Sequence, residues 1–175
     1  MVEEAKLIIS RIGETDQLCL TENTPALALE RSDLRLKLVT LSHARGEQIY
    51  FLQEAIVLLE QARVEYEEMP MHMYLELSLH LAKAYMMYFE ISQELRFALI
   101  TQQILRPLVA HESSDIYFFL AYASISQNEL AMTRHWLNKY AKRTDFDPEL
   151  ILMHPAFSAM SQESWFQKIC QARLH

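Results

Sequence analysis

Residues 51–62 read FLQEAIVLLEQA, and this stretch decides the fold. Phe51, Ala55, Leu58, Leu59 and Ala62 recur at three- and four-residue spacing, the period that brings side chains onto one face of an α-helix. Alanine within such a stripe lets a second helix approach closely, which is how helical pairs stack side by side. The same device returns at Leu81, Ala82 and Tyr85 and again at Leu120 and Ala121.

The rest of the chain agrees. Leu, Ala, Glu, Gln and Met are abundant, runs of β-branched residues are nearly absent, and Gly13 and Gly46 are the only glycines in 175 residues. These are helix-forming preferences, so the fold class is all-α. With 51% hydrophobic residues, one domain of this size has enough apolar surface for a core without disulfide or metal.

Breakers and caps place the elements. The first helix is expected over Val2–Ile12, stopping near Gly13, with residues 14–23 as a polar connection. Thr24-Pro25 restarts the chain as cap and first helical residue, opening a helix with Leu27, Leu34, Leu38 and Leu41 that reaches Arg45 or Gly46. The helix built on FLQEAIVLLEQA should end near Met69, ahead of Pro70. From Pro70 to about Tyr88, Leu77, Leu81, Ala82 and Tyr85 face inward. Ser92 caps a helix carrying Leu95, Ala98, Leu99 and Leu105, which Pro107 kinks or shortens. After a polar break at residues 111–114, with Ser113 or Ser114 as cap, helices over Ile116–Ser126 and Glu129–Arg143 form a hairpin through Gln127-Asn128. The tail reads as two or three short helices punctuated by His154-Pro155.

Several kinds of chemistry are disfavoured. The net charge of −7 repels nucleic acid and anionic membranes on average. Arg134, Lys139, Lys142 and Arg143 form the one basic patch; helix capping and solvation account for it first, anionic-ligand binding second. Cys19 and Cys170 make no CxxC pair, which fits a reducing compartment. The acidic start lacks a leader pattern, and no apolar run approaches the roughly 20 residues that span a bilayer, so the expectation is a cytoplasmic protein. Seven histidines make no zinc spacing. Met69-Pro70-Met71-His72-Met73 offers soft donors for Cu(I), but reads better as a helix start with core methionines. Glu65, Glu67 and Glu68 read as a solvated face, His135 as a surface or partly packed histidine, and Cys170 as a small core residue. No Gly-rich phosphate loop or nucleophile elbow is present. No cofactor, metal or enzymatic activity is expected.

Two antiparallel helices repeating at about 34 residues define the tetratricopeptide unit. With Ala82 and Ala121 at its small-residue position, Leu81, Leu120 and Tyr85 fall at the accompanying apolar positions. The chain thus resembles the tetratricopeptide-repeat superfamily over roughly residues 34–143, although Ser124 and Arg45 stand where that family prefers an aromatic. The tail, with Trp136-Leu137, Phe146-Asp147-Pro148, His154-Pro155-Ala156-Phe157 and Trp165-Phe166, looks like the segment that closes many bacterial arrays.

The resemblance implies a short right-handed TPR-like solenoid of stacked antiparallel helical hairpins. Residues 1–23 would form an N-terminal helix and connection, 24–143 degenerate helical pairs, and 144–175 the closing short helices. It also implies a concave groove, lined by Glu76, Leu79, Lys83 and Met86 from the middle pair and by Asp115, Phe118, Tyr122 and Ile125 from the last. Such a surface suits an extended peptide or an amphipathic helix; the competing reading buries these residues against adjacent helices. The family's terminal-carboxylate clamp is disfavoured, because its positions hold Val39, His43, His80, Asp115 and Phe119. The expected function is a non-enzymatic scaffold or adaptor for a protein or peptide partner. The alternatives are a self-associating homodimer, with Tyr117 and Phe118 at its interface, or a secretion-type chaperone masking an apolar cargo segment.

Overall fold

A computed structural model describes residues 2–66 and 68–172. Among them the secondary structure is helical throughout, without strands: α1 (Val2–Cys19), α2 (Pro25–Leu41), α3 (Arg45–Glu65), α4 (Met71–Ser92), α5 (Leu95–Leu105), a 3-10 segment (Arg106–His111), α6 (Ser114–Ser126), α7 (Leu130–Ala141), α8 (Pro148–Met153), a second 3-10 segment (Pro155–Met160) and α9 (Ser164–Gln171). No helix among the described residues is long and apolar enough to cross a membrane. The chain divides into two compact units, Met1–Phe97 and Ala98–His175.

In the first unit, α2 packs on α1, α3 and α4, and α3 packs on α4. The alanines do what their spacing predicts: Ala55, Ala62 and Ala82 are buried alongside Leu52, Leu59, Leu77 and Leu81. Ile8, Leu34 and Leu38 form a core between α1 and α2, with Ala5, Ile12, Leu41 and Phe51 packed against it. Thr24 caps α2 by accepting from the Leu27 N–H, with Pro25 at the start of the helix as expected.

Several boundaries differ from the sequence reading. The first helix does not stop at Gly13 but runs on to Cys19, because its last turns are tied down. Thr15 is fully buried and Asp16 pairs with Arg31 and Arg35 of α2, tertiary contacts that outweigh one glycine. α2 ends at Leu41 rather than near Gly46, which lies in the first turn of α3. There the Gln48 amide donates to the carbonyls of Ser42 and Val39, at 2.8 and 3.3 Å, satisfying the end of α2. α3 ends at Glu65, where the Tyr66 hydroxyl and the Glu65 carboxylate both meet Asn23.

In the second unit, α6 packs on α7 and on both 3-10 segments, while α9 packs on α7 and α8. The α6–α7 hairpin turns at Gln127-Asn128 as predicted, with Asn128 in the left-handed region (φ 58°) that asparagine tolerates. Pro107 converts the end of α5 into the 3-10 segment. Ser113 occupies the cap position of α6 without a side-chain cap bond, while Ser114 donates its hydroxyl to Asp145 beyond α7. Proline opens both α8 and the second 3-10 segment, whose first N–H groups bond Asp147 and His154. The tail is punctuated at His154-Pro155 as the sequence indicates.

Candidate functional site

Helix α4 seals one face and leaves another open. Leu77, Ser78, Leu81, Ala82 and Met86 are buried, and the Ser78 hydroxyl is satisfied by the Tyr74 carbonyl one turn back, at 2.7 Å. Opposite them Glu76 and Lys83 are exposed, with Leu79 and His80 half-buried between. Of the four residues expected to face a partner here, Glu76, Leu79 and Lys83 reach the surface. Met86, at 1% exposure, does not. It lies on the buried stripe, four residues beyond Ala82.

On α6 the outcome is less favourable to the expectation. Asp115 is exposed and Ile125 half-buried, but Phe118 and Tyr122 are 8% and 5% exposed. The Phe118 ring lies 6.1–6.4 Å from Tyr122, Tyr140 and Phe157, and Tyr122 lies 4.4 Å from His154. These rings are the core of the C-terminal unit rather than a groove wall. Tyr117 is also buried, stacked 6.1 Å from Trp136, so Tyr117 and Phe118 are not the exposed interface aromatics the homodimer reading assumed.

Two arrangements escaped the sequence reading. The first is a charge network in the N-terminal unit. Arg35, at 5% exposure, donates to Glu54 of α3 at 2.8 Å and to Asp16 of α1 at 3.3 Å, and Arg31 donates to the same Asp16 at 3.0 Å. Arg31, Arg35 and Glu54 line a cleft of about 370 Å³ with Tyr50, Gln53, Val57 and Leu58. A hydrogen bond to Glu54 raises the Tyr50 phenol above its ordinary range. Because carboxylates of α1 and α3 already neutralise its arginines, this cleft is built by the fold's own ion pairs. The signal was present: arginines four apart on α2, one of them between Leu34 and Leu36 on the apolar stripe.

The second arrangement lies on α7 and α9. The basic patch splits between two faces. Lys139 sits 5.9 Å from the Tyr117 ring and Arg143 pairs with Glu112 at 3.9 Å. Arg134 and Lys142 instead line a cleft of about 310 Å³ with Trp165, Lys168 and Ile169. Arg134 stacks over the Trp165 indole, 5.4 Å from its centroid. Lys168 joins from a helix far along the sequence, which is why reading one stretch of chain did not find it.

The remaining chemistry-bearing groups are placed as follows. Among the described residues no three His, Cys, Asp or Glu side chains converge to hold a metal ion. Met69 and Met71 border a cleft with Arg63, whose guanidinium lies 5.2 Å over the Tyr74 ring; His72 and Met73 are not among the residues that line it. Both cysteines are free thiols. Cys170 is buried, which pushes its thiol up and away from the reactive thiolate. His135 is exposed beside Trp136. Glu65 is exposed and accepts from Asn23, Glu68 is exposed, and Glu67 lies outside the described residues. No protein-family model, curated protein or solved structure matches the chain.

Proposed function

We propose that the chain is a non-enzymatic scaffold or adaptor of TPR-like helical pairs, acting in the cytoplasm and binding a peptide or helix of a protein partner. One observation carries this reading. The open face of α4 presents Glu76, Leu79 and Lys83 at offsets of three and seven residues, while its other face is closed by core packing. A charge of each sign flanking an apolar side chain is a surface that orients a partner segment while burying part of it. The buried alanines support the stacked-pair architecture. The mechanism is binding alone, without turnover.

Photocrosslinking tests it. A benzophenone side chain at position 83, in lysate of the source cells, is expected to give a discrete protein adduct. That adduct should be suppressed by Glu76→Lys and should not form from the exposed position 37 on α2. Adducts indifferent to both controls would remove α4 as the binding face.

A second reading, self-association, is favoured by a different helix. Tyr50, Val57 and Val64 recur every seven residues along α3 and are all exposed, Val64 at 80%. A heptad-spaced apolar stripe is what a second helix packs against. Light scattering across protein concentration separates the readings. A dimer dissociated by Val57→Glu would transfer the function to α3, whereas a monomer at all concentrations leaves α4 as the binding face.

A further inference from the structure

In a chain of net charge −7, Arg134, Lys142 and Lys168 border a single cleft; among the described residues none of them is ion-paired and no carboxylate side chain lines it. We propose that this cleft is a docking site for an acidic peptide segment of a protein partner, bound extended, with two carboxylates flanking an apolar side chain. The proposal stands on α7 and α9 and does not depend on the reading of α4.

Helix dipoles explain part of the arrangement but not all of it. Lys142 caps α7 and Lys168 lies in the last turn of α9, where a cation is favoured without any ligand. Arg134 is in the second turn of α7, far from that helix's negative end. Its guanidinium rests on the Trp165 ring, a stacking that fixes the plane while leaving N–H groups on its edge for a carboxylate. Trp165, half-buried, and Ile169 supply apolar floor beside the cations. The cleft therefore has both halves of a peptide subsite.

Spacing sets the register of the occupant. Arg134 and Lys142 are eight positions apart on one helix, or roughly 12 Å at 1.5 Å per residue. An extended peptide advances about 3.3 Å per residue, so carboxylates four residues apart reach both cations. The residue midway between them points to the same side, toward the cleft that Trp165 and Ile169 help to line. The cleft, at about 310 Å³, admits one large side chain. A short acidic segment also suits the chain's overall charge. Its carboxylates act locally, whereas a polyanion such as nucleic acid meets the repulsion of the whole acidic surface.

The test uses the full chain and a blocked five-residue peptide of the pattern acidic, alanine, phenylalanine, alanine, acidic. Saturable binding is expected by calorimetry and by a change in tryptophan fluorescence, weakening as salt rises. The double variant Arg134→Gln/Lys168→Gln is expected to weaken it at least ~10-fold, and Lys142→Gln about 3-fold. All three positions are exposed, and helical circular dichroism confirms that each variant folds. The same peptide with both carboxylates replaced by amides should not bind. Absence of saturable binding, or affinity unchanged in the double variant, overturns the proposal. So does tighter, variant-sensitive binding of a single-stranded oligonucleotide of equal charge. A self-association abolished by the same variant would assign the cleft to a second copy instead.

Discussion

The two units of this chain use their charged and aromatic side chains in opposite ways. In the N-terminal unit a buried arginine, Arg35, is satisfied by carboxylates from the two helices beside its own. In the C-terminal unit the interior is a run of rings, Phe118, Tyr122, Tyr140, Phe146 and Phe157, and the cations Arg134, Lys142 and Lys168 stay outside. Charge absorbed by the fold carries no message about a partner. Charge left over beside a half-buried indole does. The difference also implies distinct responses to mutation, pH and salt in the two halves.

The largest expected effect comes from the rings. Phe118→Ala removes a buried aromatic that touches five other rings and should destabilise the protein by about 3–5 kcal/mol, read from urea unfolding. Tyr50→Ala, at an exposed ring of the N-terminal unit, should cost well under ~1 kcal/mol. Equal costs would mean that the aromatic cluster does not set the stability of the C-terminal unit.

Next comes the network. Glu54→Gln leaves the Arg35 guanidinium buried, with Asp16 as its remaining carboxylate. Breaking a fully buried pair costs about 3–5 kcal/mol. Glu54 and Asp16 have side chains 35% and 40% exposed, so solvent screening lowers the expectation to about 1–2 kcal/mol. Arg134→Gln, removing a cation outside the fold's own pairs, should change stability by less than ~0.5 kcal/mol. If the two substitutions cost the same by urea unfolding, the distinction between absorbed and left-over charge fails.

A tyrosine in each unit sharpens the contrast with pH. Burial, together with a 2.9 Å hydrogen bond to Glu60, pushes the Tyr85 phenol from 10 up to about 12. Burial also raises Tyr140, but a backbone hydrogen bond at Asp147 opposes the shift. A phenol whose pKa is higher in the folded state stabilises the fold fully below its unfolded pKa and loses that contribution as pH climbs to the folded value. The Tyr85 contribution, about 1 kcal/mol for one hydrogen bond, should therefore be intact below pH 10 and vanish between about 10 and 12. The stability difference between wild type and Tyr85→Phe, followed across that window, checks it. A difference that grows with pH would contradict the assignment.

How much of this was legible in the sequence follows from the range of each interaction. The buried alanine stripes, the Thr24-Pro25 start, the Gln127-Asn128 turn and the His154-Pro155 break are local, and each is written in a few consecutive residues. The Arg35 network and the α7–α9 cleft join residues remote in sequence, which no window displays. Phe118 and Tyr122 were misassigned for a related reason. Repeat positions locate residues relative to an idealised neighbour, whereas here His154, Phe157 and Tyr140 of the closing segment and α7 cover that face of α6. The element boundary read least well, the end of α1, depends on that same distant network.

That boundary yields the smallest prediction and one whose sign decides the matter. Gly13 is exposed within α1, its φ is not positive, and a Cβ added to it meets no atom within 4 Å. Inside a helix, Gly13→Ala should stabilise the protein by about 0.5–1 kcal/mol by restricting the unfolded chain and raising helix propensity. Were Gly13 instead a left-handed helix terminus, as its place in the sequence suggests, alanine would cost about as much. The two outcomes have opposite signs in one urea titration. The consequence reaches beyond α1, because only a helix that continues past Gly13 carries Asp16 to Arg31 and Arg35. A destabilising Gly13→Ala would detach Asp16 from the network and leave Glu54 as the single carboxylate answering a buried arginine.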